Sequence, residues 1–428
     1  MFKTVRGMRD FLPKDAEKLR HVEHVARELA VLYGYEEIVT PVVESYKLLA
    51  AKSSEEIRQR MYVFSDLGGR KVALRPEFTA SVARLVATKL RNAPKPLKLF
   101  SVGPLYRYDE PQYGRFREFW QANYELMGSS QPEADAEILT ITNHLLKKLG
   151  LRNYYFRIGH VGILRGILTH EGILEEQQNQ IMQMLDRKHW EEALTTIGQL
   201  GASHQCRTVL KKTFEIQGKA TRHTLKKIEN AVQNYETGIA AIENLRQILT
   251  LATTSDELET IIVPGFARGL EYYTGIIFEA YIPELEIALG GGGRYDKLIE
   301  LFGGKPTPAV GVAPGIDRIV LAMTKQKMQI KTQEEKRVVV FPVTEEMKTK
   351  AFEISSMLRE AMIPTEIEVM GRTVSKALAD ANRRKATYAV LVGPREFEEG
   401  KVILRNLTTR KQIPTDIKEI PERLKVAE

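Results

Sequence analysis

Apolar and polar residues alternate on both sides of a polar turn between Phe100 and Gly128, FSVGPLYRYDEPQYGRFREFWQANYELMG, which predicts a long antiparallel hairpin. Its turn spans Asp109 to Gly114, with Pro111 and Gly114 as turn residues, and its second arm closes around Trp120 to Leu126. Upstream, Leu19, Val22, Val25, Ala26, Leu29 and Ala30 recur at helical spacing, predicting a helix over Asp15–Leu32. Pro13 sits near its first helical position and Gly34 stops it. A strand is expected over Tyr35–Glu44. Pro41 removes a ladder donor, so this strand belongs at an edge or an interface. Met61–Phe64 and Lys71–Leu74 read as a short hairpin around Asp66-Leu67-Gly68-Gly69, followed by a helix over Ala80–Leu90. Beyond the long hairpin, a helix is expected from Pro132 to Leu149 and a strand at Tyr154–Ile158.

Residues 160–260 change character. Helical periods dominate and Gln and Glu are frequent, so this stretch reads as a mainly helical insertion. Strands return at Leu258–Val263, at IIFEAYI after Gly275, and at Pro308–Gly315, the last running into a helix that starts at Ile316. Thr324–Glu335 is polar and charged, as a linker is. Strands at Arg337–Val343, Glu366–Val369, Tyr388–Val392 and Lys401–Asn406 then alternate with helices at Glu345–Ala361 and Val374–Arg384. That alternation predicts a separate α/β domain with a largely parallel sheet.

A chain of 428 residues has room for two or three domains, and 28% charged with 43% hydrophobic residues is ordinary for a globular protein. The net charge of +8 is dispersed and points to a polyanionic partner such as nucleic acid. A single cysteine, Cys206, excludes a disulfide framework and a cysteine-based zinc site, and fits a reducing compartment. No stretch approaches the ~18 apolar residues of a membrane helix. The start, MFKTVRGMRDFLP, lacks the apolar core of a targeting peptide.

Candidate chemistry gathers at a few places. The hairpin carries Arg107, Arg115 and Arg117, whose planar forks suit phosphate. Gln121 and Glu125 are four apart on one strand and share a face, offering a carboxylate-amide pair to a small polar ligand. The alternative is an edge hairpin with solvated charges. Glu77 and Thr79 stand where a strand hands over to a helix, although Thr79 serves equally well as a helix cap. Arg268, Tyr272 and Tyr273 lie between Gly265 and Gly275, a poor composition for a core. The run ALGGGGRYD at 288–296 lacks the Gly-Lys-Ser/Thr of a P-loop and the GxGxxG of a dinucleotide fold. A tightly packed strand leaving room for a flat ligand fits it better. Arg318 is held in a first helical turn. His21 with His24, and His204 with Cys206, lack the further ligands a metal needs. The basic run Lys211, Lys212, Lys219, Arg222, Lys226 and Lys227 suits a solvated helix face as well as RNA contact. A C-terminal cluster, Lys376, Arg383, Arg384 and Lys385, suggests binding rather than catalysis.

The sequence resembles the histidyl-tRNA synthetases, class II aminoacyl-tRNA synthetases, over essentially its whole length. The resemblance rests on RGMRDFLP at 6–13, LRPEFTA at 74–80, the arginine hairpin at 100–128, RGLEYYTG at 268–275, GGGRYDKL at 291–298 and VGVAPGIDR at 310–318. It implies an α+β fold: an antiparallel-sheet catalytic core of six to seven strands with flanking helices, a helical insertion domain and a C-terminal α/β anticodon-binding domain. The boundaries expected are 1–165 and 258–323 for the two parts of the core, 166–257 for the insertion, 324–335 for the linker and 336–428 for the anticodon-binding domain. The strand around Pro41 resembles motif 1, which builds the family's homodimer interface. The hairpin resembles motif 2, and Gly311 to Arg318 resembles motif 3.

The same resemblance implies the activity of a histidine-tRNA ligase, with L-histidine, ATP and histidine tRNA as its partners. Arg107 and Arg268 would hold the α-phosphate, Arg268 being the family's distinctive catalytic arginine. Arg115 and Arg117 would reach the outer phosphates, and Phe119 and Arg318 would sandwich adenine. Glu77, Thr79 and Gln121 would orient the α-amino group, and Arg268 also counts among the histidine-binding residues. Glu125 and Tyr273 would read the imidazole, with Tyr272 and Tyr295 lining that pocket. Mg²⁺ is expected with ATP, held largely by its phosphates, with no protein ligands named. Cytoplasmic location and no membrane association are expected. Glu271, Asp317 and Phe78 depart from the family's commoner residues without removing a functional group. The competing implication is a non-catalytic, synthetase-like regulatory subunit of ATP phosphoribosyltransferase, but such subunits usually lack the C-terminal domain.

Overall fold

The computed structural model describes residues 2–51, 53–187, 189–254, 256–266, 272–328 and 337–426. The chain divides into two compact units, Met1–Ile330 and Lys331–Glu428.

The first unit is built on a nine-stranded sheet among the described residues. In chain order the strands of this unit are β1 (Glu36–Glu37), β2 (Val43–Ser45), β3 (Val63–Ser65), β4 (Lys71–Leu74), β5 (Leu97–Tyr106), β6 (Glu118–Met127), β7 (Tyr155–His160), β8 (Gly218–Lys219), β9 (Thr260–Ile262), β10 (Ile276–Tyr281), β11 (Gly290–Arg294) and β12 (Ala309–Pro314). The large sheet runs β1-β5-β6-β12-β11-β10-β7-β9-β8, and β2-β4-β3 form a separate small sheet. The centre, from β5 to β7, is antiparallel throughout. Parallel pairing enters only where β1 meets β5 and β9 meets β7, which carries the sheet beyond the six to seven strands expected.

The predicted hairpin is present at full length. β5 and β6 pair over ten positions, from Leu97 opposite Met127 to Tyr106 opposite Glu118. The strand expected over Tyr35–Glu44 is instead two pieces on two sheets, β1 and β2, with Pro41 between them. Proline has no N–H to carry the ladder across the gap, so the chain changes partner there. The Pro13–Leu32 helix starts at the expected proline and buries Leu19, Val22, Val25, Ala26, Leu29 and Ala30. It packs in one core with the Pro132–Lys148 helix and the sheet residues Phe100, Tyr124 and Ile158.

The expected helical stretch is observed as helices Val161–His170, Glu175–Asp186, Trp190–Gln199, His204–Glu215, Arg222–Ala231 and Glu236–Ala252. Cys206 is buried there, in the same apolar core as Leu210 and Ile228. Within this stretch, the two-residue strand β8 escapes any periodicity argument.

The second unit holds β13 (Val338–Pro342), β14 (Thr365–Ile367), β15 (Tyr388–Val392), β16 (Lys401–Asn406) and β17 (Gln412–Asp416), in the order β14-β13-β15-β16-β17. Half of the sheet is parallel and half antiparallel, rather than largely parallel. The unexpected member is β17, a mostly exposed edge strand carrying Pro414, where a missing N–H is tolerated. Thr324 and Lys325, expected in the linker, complete the helix Ile316–Lys325, and the expected linker's 329–335 lies outside the described residues. Among the described residues, no helix is long and apolar enough to cross a membrane.

Candidate active site

A cavity opens over the middle of the large sheet. Its walls include Glu77, Thr79, Arg107, Arg115, Phe119, Gln121, Tyr272, Tyr273, Tyr295 and Arg318, and its floor includes Gly290, Gly291, Gly292 and Gly311. Three elements supply most of this: the β5–β6 hairpin, the glycine strand β11, and the turn from β12 into the Ile316–Lys325 helix. The floor is flat because it has to be. A Cβ on Gly292 would lie 2.1 Å from the Gly311 carbonyl oxygen, and one on Gly293 would lie 2.4 Å from that of Ile276. Only glycine fits so close to neighbouring backbone.

Glu125 stands in β6 directly opposite Gly311 of β12, which in turn pairs with Gly293 of β11. A Cβ on Gly311 would lie 1.7 Å from Glu125 Oε2, so this glycine makes room for the carboxylate. Glu125 is 1% exposed. Its Oε1 accepts from Thr79 Oγ1 at 2.7 Å and from Asn123 Nδ2 at 2.9 Å. The Tyr295 hydroxyl donates to its Oε2. Burial raises the Glu125 carboxyl to about 7; bonds from Tyr295, Asn123 and Thr79 favour the ionised form, and the charge of Glu77 opposes it. The same burial lifts the Tyr295 phenol well above its ordinary value, helped by Glu125.

The structure resolves the ambiguity at Thr79. Glu77, not Thr79, caps the Thr79–Thr88 helix: its two carboxylate oxygens accept from the backbone N–H groups of Thr79 at 3.0 Å and Ala80 at 2.8 Å. Thr79 is thereby free to turn its hydroxyl to Glu125. Burial raises the Glu77 carboxyl, while the cap bonds and Arg107 oppose that rise.

Arg107 leaves the hairpin, donates from Nε to the Pro76 carbonyl at 3.0 Å and places its guanidinium 5.3 Å from the Phe119 ring. Arg318 is fixed by the Ala288 carbonyl, 2.8 Å from its Nη1. Arg115 is exposed at the rim. Arg117 stands apart from the cavity lining. It is buried, donates to the Asp109 carbonyl at 3.1 Å and lies 3.7 Å over Tyr108. The Gln121 side-chain oxygen is buried without a hydrogen-bond partner, in a residue that lines the cavity. An orphaned acceptor of this kind suits a ligand's N–H donor. Tyr272 packs against Tyr273 and Tyr295 with ring centroids 4.9 and 5.4 Å apart. Arg268 lies outside the described residues. No group of three or more His, Cys, Asp or Glu side chains placed to hold a metal occurs among the described residues.

The family described as histidyl-tRNA synthetase matches residues 7–319. The chain belongs to the histidyl-tRNA synthetase family. A second match, to an anticodon binding domain, covers residues 337–426. A relative from Methanocaldococcus jannaschii named histidine–tRNA ligase is 40% identical over 415 residues, 96% of this chain and 97% of its own. The apo histidyl-tRNA synthetase of S. aureus superimposes with a TM-score of 0.75 at 27% identity, covering 99% of this chain and all of the other. A Bacillus halodurans protein described as an ATP phosphoribosyltransferase regulatory subunit/histidyl-tRNA synthetase gives 0.77 at 26% identity, covering 92% of this chain and 98% of its own.

Against this synthetase frame, three residues gain a place that spacing did not reveal. Asn123 lies on the same face as Gln121 and Glu125, two residues from each, so strand periodicity could have found it. Asp317, noted only as a departure from the family pattern, accepts from the Trp120 backbone N–H at 2.6 Å and pairs with Arg9. Arg9 carried no signal beyond its motif, because its contacts with Phe116 and Asp317 lie 107 and 308 residues away in sequence. Arg294, in contrast, is structural: it grips the buried Asp135 carboxylate at 2.8 Å and the Ser129 carbonyl at 2.9 Å.

Proposed function

We propose that this chain is a histidine-tRNA ligase that activates L-histidine with ATP and then esterifies the 3′ end of its tRNA. The observation that carries the reading is Glu125: a buried carboxylate behind the glycine floor of an arginine-lined cavity, in a chain of this family. The histidine carboxylate attacks the α-phosphorus, the bond to the β-phosphate oxygen breaks, and pyrophosphate leaves. Negative charge accumulates on the phosphorus oxygens, so positioned cations supply most of the stabilisation. Arg107, with Arg268 by resemblance, takes that role. Arg115 takes the outer phosphates from the rim, and Arg117 acts through the loop it braces. Phe119 and Arg318 hold adenine over the flat glycine floor.

Gln121 accepts from the α-amino group through its orphaned oxygen, beside Glu77 and Thr79. Glu125, with Tyr273, Tyr272 and Tyr295, reads the imidazole. A carboxylate near neutrality matches an imidazole near 6.5, so the pair shares a proton readily. A tRNA ribose hydroxyl then attacks the activated carbonyl and AMP leaves. Mg²⁺ enters with ATP as part of that substrate.

The second unit, with Lys376, Arg383, Arg384 and Lys385, binds the anticodon region. Arg383 and Arg384 are held by Asp380 within it. A homodimer forms through the surface around β2-β4-β3, where Val39, Val43, Val63 and Phe64 are exposed. The protein works in the cytoplasm. The regulatory-subunit reading is not favoured, because residues 337–426 match the anticodon binding domain. Histidine-dependent ATP–pyrophosphate exchange tests the proposal: exchange with histidine and no other amino acid is expected, and histidine binding without exchange would overturn it.

A further inference from the structure

We propose that Arg9 is a positioning residue for the ATP half of the site, clamping the hairpin loop to the helix that carries Arg318. The inference rests on the synthetase reading above. Three contacts carry it. The Arg9 guanidinium pairs with Asp317, the residue beside Arg318, whose side chain is 4% exposed. It lies 3.2 Å from the centre of the Phe116 ring and 4.8 Å from that of Phe11. Phe116 and Asp317 both line the cavity. Asp317 completes the link by accepting the Trp120 N–H of β6 at 2.6 Å. One guanidinium therefore joins the N-terminal segment, the loop between β5 and β6, and the first turn of the Ile316–Lys325 helix.

Neighbouring contacts hold the segment in the same place. The Arg117 N–H donates to the Gly7 carbonyl at 3.0 Å. Gly7 has φ +85°, and a Cβ there would lie 2.6 Å from Arg117 Cγ. Phe11 meets Trp120 edge-on at 5.3 Å. The strap thus runs along the loop that presents Arg115, and Arg9 is its charged link to the Arg318 helix, while Arg6 pairs with Glu110 of the loop. Lysine replaces it only in part. Its point charge has no planar fork to lay on Phe116 while also addressing Asp317.

The test compares wild type with Arg9→Met, Arg9→Lys and Asp317→Asn in histidine-dependent exchange. Arg9→Met keeps the apolar bulk over Phe116 and removes the charge. About a tenfold rise in KM for ATP is expected for Arg9→Met, with KM for histidine and kcat within threefold. Arg9→Lys should give an intermediate rise. The double variant Arg9→Met with Asp317→Asn should be no worse than the worse single variant, because the two act through one contact. Equal rises in both KM values, or multiplied effects in the double variant, would overturn the clamp. If a variant melts early, the split between the two KM values is read below its melting temperature, so a merely structural role remains distinguishable. Absence of exchange in wild type would instead sink the synthetase reading.

Discussion

Glu125→Gln probes the centre of the site by removing one proton equilibrium and almost no volume. The wild-type carboxyl is raised from its ordinary 4.5 to about 7 by burial. At ~1.4 kcal/mol per pH unit, that rise corresponds to about 3 kcal/mol of folding stability. The sign follows from proton counting. Between pH 4.5 and 7 the folded chain holds a proton here that the unfolded chain has released. Stability therefore falls as pH rises through that window, and the loss is complete above pH 7. Glutamine has no proton to lose, so the variant should escape this part of the decline. Urea unfolding of both proteins from pH 5 to 8 measures it. The variant's stability relative to wild type should improve by about 2.5 kcal/mol between the two ends, since part of the change already lies below pH 5. Asp135, raised to about 6 by its own burial, contributes equally to both proteins and cancels in the comparison. A stability difference independent of pH would show that Glu125 is ionised throughout and would refute the reasoning. The same variant should bind histidine about 10- to 100-fold more weakly in exchange assays, as expected for losing a charged hydrogen-bond partner.

Thr79→Val removes one of the two donors on Glu125 Oε1 and should raise KM for histidine about tenfold, leaving KM for ATP within twofold in the same assay. Gly311→Ala drives a methyl group into the Glu125 carboxylate and should cut histidine-dependent exchange at least ~100-fold, checked alongside circular dichroism for retained secondary structure. Arg294→Met strands the buried Asp135 without its cation and should cost about 3–5 kcal/mol in urea unfolding at pH 7.

The hairpin of β5 and β6 was readable because burial alternates along the outer half of β5, Ser101 to Tyr106, and because its turn is rich in breakers, although β6 is buried on both faces from Ala122 to Met127. The Pro13–Leu32 helix was readable for the matching reason, an apolar stripe behind a proline start. Glu77 is expected at the site from its strand–helix junction, but its capping role is not. The sequence leaves Thr79 open between helix cap and site residue, and the carboxylate two positions earlier satisfies the orphan N–H groups instead. Pro41 marked an edge correctly, yet composition could not show that the chain crosses there from one sheet to another. The Arg9–Asp317 pair spans 308 residues, and no local pattern carries information over such a distance.

The glycine strand β11 has a consequence for how this protein could be improved or damaged. Each interior glycine forfeits roughly 0.5–1 kcal/mol relative to alanine, chiefly through the greater freedom of the unfolded chain. Gly290 to Gly293 together therefore cost this buried strand several kcal/mol that larger residues would not cost on a strand with room for them. Substitutions that raise heat resistance elsewhere would be self-defeating here, since any added methyl group meets backbone at Gly290, Gly292 or Gly293. Durability must be engineered at a distance from this strand, and random mutation of it should yield inactive proteins far more often than its four small residues suggest.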